Sequence, residues 1–308
     1  MFDAAFKRLM HLSSRAIISF INGLFGLNLP LDGEVFYPNT EQIFDNLSKQ
    51  YADIIISIRA NGREYSFLLE AQSDNDGNML IRVFSYGYQF ALGNKVTVEN
   101  ITTIELPAAI VIYLNPNGNT PKREILRFKF PDGKTVDYVV NSLLLLNYSP
   151  EELAARNMEL LLPFQLLKLR KQIDGARSHE QRVELVEKLK ELIGELFPLI
   201  ESSETVGKLT PEDVSTISAI LEKLNTYLYT AKYQEFKEVN QMVTEIVRDI
   251  QYNRMDRVKD EAMNKGRLEE RRDLTRSAII GFKQEKTPDE VIARVFNIPV
   301  EQVREIHA

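Results

Sequence analysis

The chain contains no cysteine, and that absence removes a disulfide scaffold, a thiolate metal site and a cysteine nucleophile together. Histidine is scarce as well. His11, His179 and His307 are far apart and fall in neither an H-E-x-x-H nor an H-x-H spacing, so a histidine-built metal site is not expected. Long apolar runs are missing too: the run from Ala16 to Ile21 is broken by Ser19 and falls far short of the roughly 20 residues of a membrane span. Neither a basic flank nor a cleavage site marks it as a secretory leader. A cytoplasmic protein without membrane attachment is the expectation. Positive charge is in deficit, with 38 Lys and Arg against 44 Asp and Glu and a formal net charge of −6. That balance disfavours a protein that grips nucleic acid by bulk charge. It leaves room for a metal-dependent nuclease, whose own site is acidic, and any catalysis must rest mainly on carboxylates.

What the chain has is ordinary globular composition: 308 residues, 44% hydrophobic and 27% charged, enough for a large core and one or two domains. Residues 3 to 25 place Phe6, Leu9, Met10, Ile17, Ile18, Ile21 and Phe25 at helical spacing, with Asp3 at the positive end of the helix dipole. Two β-branched runs follow, residues 51 to 59 and 64 to 72, separated by Asn61-Gly62. That dipeptide tolerates positive φ at both positions, so residues 51 to 72 are expected as an antiparallel hairpin. Helical spacing returns over residues 79 to 92, with Leu80, Val83, Phe84 and Tyr88 on an apolar face and Arg82, Tyr86 and Gln89 on another. Residues 107 to 114 form the continuous apolar run of a strand buried on both faces. Residues 124 to 130 alternate as a further strand, and Val139 to Leu146 offers a last one. This is an α/β core of roughly 150 residues.

Beyond Ser149 the pattern is helical. Ser149-Pro150-Glu151-Glu152 and Thr210-Pro211-Glu212-Asp213 each supply a hydroxyl cap, a proline at the first helical position and an acid at the third, and mark helix starts. Between them Val183, Val186, Leu189, Ile193, Leu196 and Phe197 form a stripe up to Pro198, and residues 214 to 252 repeat the pattern. A helical region over residues 151 to 260 is expected. The last part, residues 261 to 308, lies in a charged stretch from Arg254 to Arg276 and then a capping box at Thr287-Pro288-Asp289-Glu290 that opens a small helix-turn-helix-like tail. Only Arg294 and Arg304 are basic in that tail, fewer than a DNA-reading helix normally brings, so a dimerisation or docking element fits equally.

The informative constellation is Asp53 in the first hairpin strand with Glu70-Ala71-Gln72 in the second. Alternation points Glu70 and Gln72 the same way and Ala71 the other. A separation of 17 residues with a turn near its middle can bring Asp53 beside Glu70. Each acid interrupts a run that otherwise reads as buried, Phe67-Leu68-Leu69 before Glu70 and Ile54-Ile55-Ile56 after Asp53. A carboxylate there needs a metal, an arginine or an exposed edge to offset its desolvation. Two converging carboxylates suit a hard divalent cation. Alternatively they are edge-strand polar residues satisfied by water, Arg59 or Arg82.

The order D-A-A-F-K-R-L, Y-A-D-I-I-I-S-I, F-L-L-E-A-Q-S and M-L-I-R-V-F-S-Y resembles the Rpn recombination-promoting nuclease and transposase family, within the PD-(D/E)xK nuclease superfamily. The resemblance covers about residues 1 to 150 and is looser beyond. It implies a restriction-endonuclease-like core, a central mixed sheet flanked by helices, and Mg²⁺-dependent DNA hydrolysis. By that resemblance Asp53 is the first metal-binding acid and Glu70 the second, with the backbone carbonyl of Ala71 a further ligand. Gln72 takes the position usually held by lysine and orients the attacking water. Asp3 and Lys7 match amino-terminal helix positions, Asp3 completing the metal shell. Lys7, Arg82, Tyr86 and Gln89 become candidate contacts to the DNA backbone. Gln72 carries no positive charge, so Lys7 or Arg82 must supply it for full activity. Two-ended cleavage needs two sites, which implies a homodimer.

Plainer roles stand beside these. Asp3 suits a helix-start charge and Lys7 a solvated lysine; Arg82 and Tyr86 suit a structural ion pair and aromatic packing; Phe84, Tyr88 and Phe90 suit the core. The competing expectation is a catalytically silent relative that serves protein association or DNA docking.

Overall fold

The structure, a computed structural model, describes residues 1–38, 54–72, 78–284 and 288–306. The amino-terminal segment is two helices rather than one, α1 (Phe2–Leu9) and α2 (Ser14–Phe25). Ser13 divides them. Its hydroxyl caps α2 by accepting from the Ala16 amide, and Ser13 is itself anchored to Asp213, N to Oδ1 at 2.9 Å and Oγ to Oδ2 at 2.5 Å. The apolar spacing runs straight across this break because Phe6, Leu9, Met10, Ile17, Ile18 and Ile21 all enter the same core. Gly26, at φ 64°, ends α2.

After β1 (Glu34–Phe36), β2 (Ile54–Ala60) and β3 (Arg63–Gln72) form the expected hairpin, turning on Asn61 and Gly62 at φ 52° and 73°. Then come α3 (Met79–Gly93), a small hairpin of β4 (Val96–Val98) and β5 (Ile101–Thr103), β6 (Ala108–Tyr113), β7 (Arg123–Lys129) and β8 (Thr135–Leu144). The main sheet has six strands in the order β1-β2-β3-β6-β8-β7. It is mixed: β3, β6 and β8 run parallel, and β1/β2, β2/β3 and β7/β8 are antiparallel. The strands β1, β4 and β5 were not legible in the sequence, each being three residues long.

Both faces of the sheet are covered. On one, Leu68, Ile55, Val111 and Val140 pack with Met79, Val83 and Tyr86 of α3. On the other, Ile54, Ile56, Phe67, Leu69, Ile110 and Ile112 share a large core with α1, α2 and the later helices. That core runs on past residue 150 through α4 (Pro150–Ala155), a 3-10 segment (Glu159–Leu166), α5 (Leu167–Gly175), α6 (His179–Thr205) and α7 (Pro211–Asn225) to Ile250 in α8 (Lys237–Gln284). The capping boxes at Ser149 and Thr210 open α4 and α7 as expected. Two details depart from the sequence pattern. Pro198 lies inside α6, whose inward stripe continues to Ile200 and leaves Val183 exposed. The run from Val214 to Tyr252 is interrupted by a π turn (Thr226–Thr230) and a 3-10 turn (Gln234–Phe236), where the Tyr229 hydroxyl donates to the Leu166 carbonyl.

The chain divides into two compact units, Met1–Ile250 and Gln251–Ala308. The second holds the remainder of α8, α9 (Asp289–Phe296) and α10 (Val300–Glu305). Its core is Ile279, Ile292, Ala293 and Val303, and Lys283 Nζ donates to the Ile306 carbonyl at 2.7 Å. Asn297, at φ 52°, makes the turn between α9 and α10. Thr287 of the expected capping box lies outside the described residues. The charged stretch from Arg254 to Arg276 is part of α8, a helix of 48 residues. Among the described residues no helix is long and apolar enough to cross a membrane.

Two carboxylates tie the first unit together. Asp213, 2% exposed, accepts from Ser13 and from the Thr210 amide, joining the start of α2 to the start of α7. Removing it strands buried donors, so Asp213→Ala is expected to cost about 3 kcal/mol in urea unfolding; an unchanged midpoint would refute the anchor. Glu235 links the α7–α8 connection to the start of α6. Arg182 at 2.8 Å, then the residue's own backbone amide and His179, hold its carboxyl down to about 2 from an ordinary 4.5. A depressed folded-state value stabilises above the ordinary one and is lost as pH falls toward the depressed one. The thermal midpoint of Glu235→Gln should therefore lie below wild type at neutral pH, and the gap should narrow as pH drops from 4.5 toward about 2. A gap independent of pH would refute the coupling.

Candidate functional site

Strand β3 carries the buried acid because of where it lies. It pairs antiparallel with β2 and parallel with β6, Leu69 opposite both Ile54 and Ile110, Glu70 opposite Val111 and Gln72 opposite Tyr113. Alternation sends Phe67, Leu69 and Ala71 to the large core and Leu68 and Glu70 to the face under α3. Glu70 is only 3% exposed. Its Oε1 accepts from Gln72 Nε2 at 3.2 Å and from Arg82 Nη2 at 3.3 Å. Arg82 stands in the first turn of α3, partly exposed, with Nη2 also 3.6 Å from Met79 Sδ. These two bonds are long beside the 2.7–2.9 Å of a strong charge-assisted bond.

The sequence singled out Glu70 and Gln72, and the fold brings them together on one face with a guanidinium beside them. Asp53 lies outside the described residues; β2 begins at Ile54, opposite the residue that precedes Glu70. Ala71 is past the last described β2 pair and opposite Ile112 of β6. Asp3 and Lys7 sit on the outer side of α1 as an ion pair at 3.0 Å, Asp3 mostly exposed. The inner residues of α1, Ala5, Phe6 and Leu9, are buried, and α1 packs against β3 and α7.

The side of α3 that carries Arg82 and Tyr86, expected to face DNA, turns toward the sheet instead. Tyr86 is 8% exposed and packs with Val83 and Met79, while Tyr88 is on the exposed side and Gln89 is half-buried. The physical reason is the buried carboxylate. A helix lying on that face brings its arginine to Glu70, and the residue one turn further on, Tyr86, follows it inward. Phe84 packs between Tyr88, Phe128 and Tyr138. Burial pushes the Tyr138 hydroxyl up to about 12.

Among the described residues no three His, Cys, Asp or Glu side chains gather as a metal cluster. At the other end of β3 an open groove of about 390 Å³ is lined by Glu64, Phe67, Phe90, Asn94, Glu105 and Leu106, among others. Four separated segments build it, so no local motif could have announced it. Comparison of the chain with models of known families, with curated proteins and with solved structures gives no match.

If Arg82 offsets the buried charge, Arg82→Ala should lower stability by about 2 kcal/mol, and Glu70→Gln in that background should cost less than it does in wild type. Denaturant unfolding of the four proteins in the cycle measures this coupling. Strictly additive losses would show that the two side chains do not depend on one another.

Proposed function

We propose that this chain is a Mg²⁺-dependent DNA endonuclease of the Rpn and PD-(D/E)xK kind, hydrolysing phosphodiester bonds at a site built on Asp53, Glu70 and Gln72. The observation that carries the reading is Glu70: a carboxylate 3% exposed on a central strand, bonded to an amide two residues on and close to a guanidinium. A charge taken so far out of water calls for a cation.

The donor set fits a hard divalent ion, being entirely oxygen. Asp53 and Glu70 would hold it with the Ala71 carbonyl; Asp3, exposed on the outer side of α1 and paired with Lys7, stays outside this shell. When bound, Mg²⁺ would lower the pKa of a water and offset charge on the phosphate. The residues of the chain do the rest. Gln72 orients the attacking water through its amide, which carries no charge of its own. Arg82, 3.3 Å from Glu70, supplies the positive charge that a lysine at position 72 would otherwise bring.

The same ion pair favours a second reading, a catalytically silent relative, because Arg82 can balance Glu70 with no metal present. One experiment decides between them. Supercoiled plasmid incubated with the full chain and Mg²⁺ should be nicked, and nicking should fall at least about 100-fold in Asp53→Ala and in Glu70→Gln. Mg²⁺ should raise the thermal midpoint of wild type and not that of Glu70→Gln. Nicking undiminished in Glu70→Gln removes the proposed site, and absence of both nicking and the Mg²⁺ shift in wild type leaves the silent relative.

A further inference from the structure

A nuclease site at Glu70 leaves the DNA in need of a cationic hold elsewhere. Of the candidates on the amino-terminal half, Lys7 is paired with Asp3, Arg82 with Glu70, and Tyr86 is buried. The opposite edge of the sheet supplies other cations. Lys122, Arg123 and Lys129, on and just before the edge strand β7, are exposed, and no ion-pair partner for them stands among the described residues. Arg127, between them, is bound instead to Asp137 by two bonds of 2.7 and 2.8 Å.

The strand register relates Lys122 to the candidate site. Glu70 is opposite Val111, Val111 is opposite Ser142, and the Ser142 amide donates to the Lys122 carbonyl at 2.9 Å. Residues in one such row point to the same face, so Lys122 shares the face of Glu70. Three interstrand steps of about 4.8 Å put their backbones about 14 Å apart. A DNA strand presents a phosphate every 3.4 Å or so along the duplex axis, so a backbone passing Glu70 also offers phosphates near Lys122.

We propose that Lys122 forms a second contact with the DNA backbone, one that holds the duplex across the end of the sheet while Glu70 serves the cleaved bond. This inference rests on the nuclease reading for its partner. Basic residues on an edge strand also discourage strand pairing between molecules. That role, taken alone, would leave DNA affinity untouched when the charges are removed.

The test uses the full chain, a short fluorescein-labelled duplex and fluorescence anisotropy, with Ca²⁺ in place of Mg²⁺ to suppress cleavage. Lys122→Gln should weaken binding about threefold at moderate salt and reduce the slope of log affinity against log salt by about 1. Lys122→Glu should weaken it further. The charge-matched Lys171→Glu, at an exposed position on the helical region, should bind as wild type does. Thermal midpoints of all variants check folding. Affinity and salt slope unchanged in Lys122→Gln, or a loss in Lys171→Glu equal to that in Lys122→Glu, overturns the proposal. If nicking is meanwhile lost in Glu70→Gln, the cleavage site stands without this surface. Wild type that binds no duplex removes both.

Discussion

Burial of the Glu70 carboxylate is the constraint around which this side of the sheet is arranged. An ionised group with almost no solvent contact costs several kcal/mol in a protein interior, roughly, unless opposite charge and hydrogen bonds surround it. Gln72 and Arg82 meet that demand from two directions, one along the strand and one from the helix above. Once Arg82 is committed, the rotation of α3 is settled as well. Met79, Val83 and Tyr86 lie along the same side of the helix and go down onto Leu68, Val111 and Val140. Ion pair and apolar packing therefore select the same helix orientation, and neither could be satisfied with α3 turned half a revolution.

The location is compatible with the proposed chemistry. Glu70 and Gln72 come at the carboxyl end of β3, which runs parallel to β6 and β8. In open α/β sheets ligands bind beyond the carboxyl ends of parallel strands, where side chains from several strands converge. A purely structural ion pair gains little from being there, and an apolar pair of equal volume would often serve stability as well or better. The ion pair between Glu159 and Lys208 at 3.1 Å is the contrast: it lies within the helical region, where Ser203 also donates to Glu159.

Local signals survived the passage from sequence to fold. Asn61-Gly62 turns the hairpin, and Ser149 and Thr210 cap the helices they precede, because each acts within three or four residues of itself. Signals that depend on distant partners did not. Ser13 divides the first helical stretch in two, yet its carboxylate anchor, Asp213, is 200 residues away. The π turn at Thr226–Thr230 is fastened through Tyr229 to a carbonyl 63 positions earlier. At the candidate site, Glu70 and Gln72 were conspicuous as polar residues in an apolar run. The direction of Arg82 and Tyr86 was not: apolar character grouped Val83 with Leu80, Phe84 and Tyr88, whereas the fold turns Val83 to the sheet with Met79 and Tyr86 and leaves Tyr88 exposed.

By itself, then, the sequence determined the kinds of element, where most of them start, and that a carboxylate would interrupt a buried strand; these follow from backbone preferences and from periodicities of two and 3.6 residues. Only the tertiary structure decided how the strands are ordered, that helices following residue 150 complete the core of the sheet before it, and that α3 turns its arginine inward. Those outcomes depend on contacts between segments far apart in the chain. Their energies are set by shared burial and charge compensation, which no short stretch of residues contains.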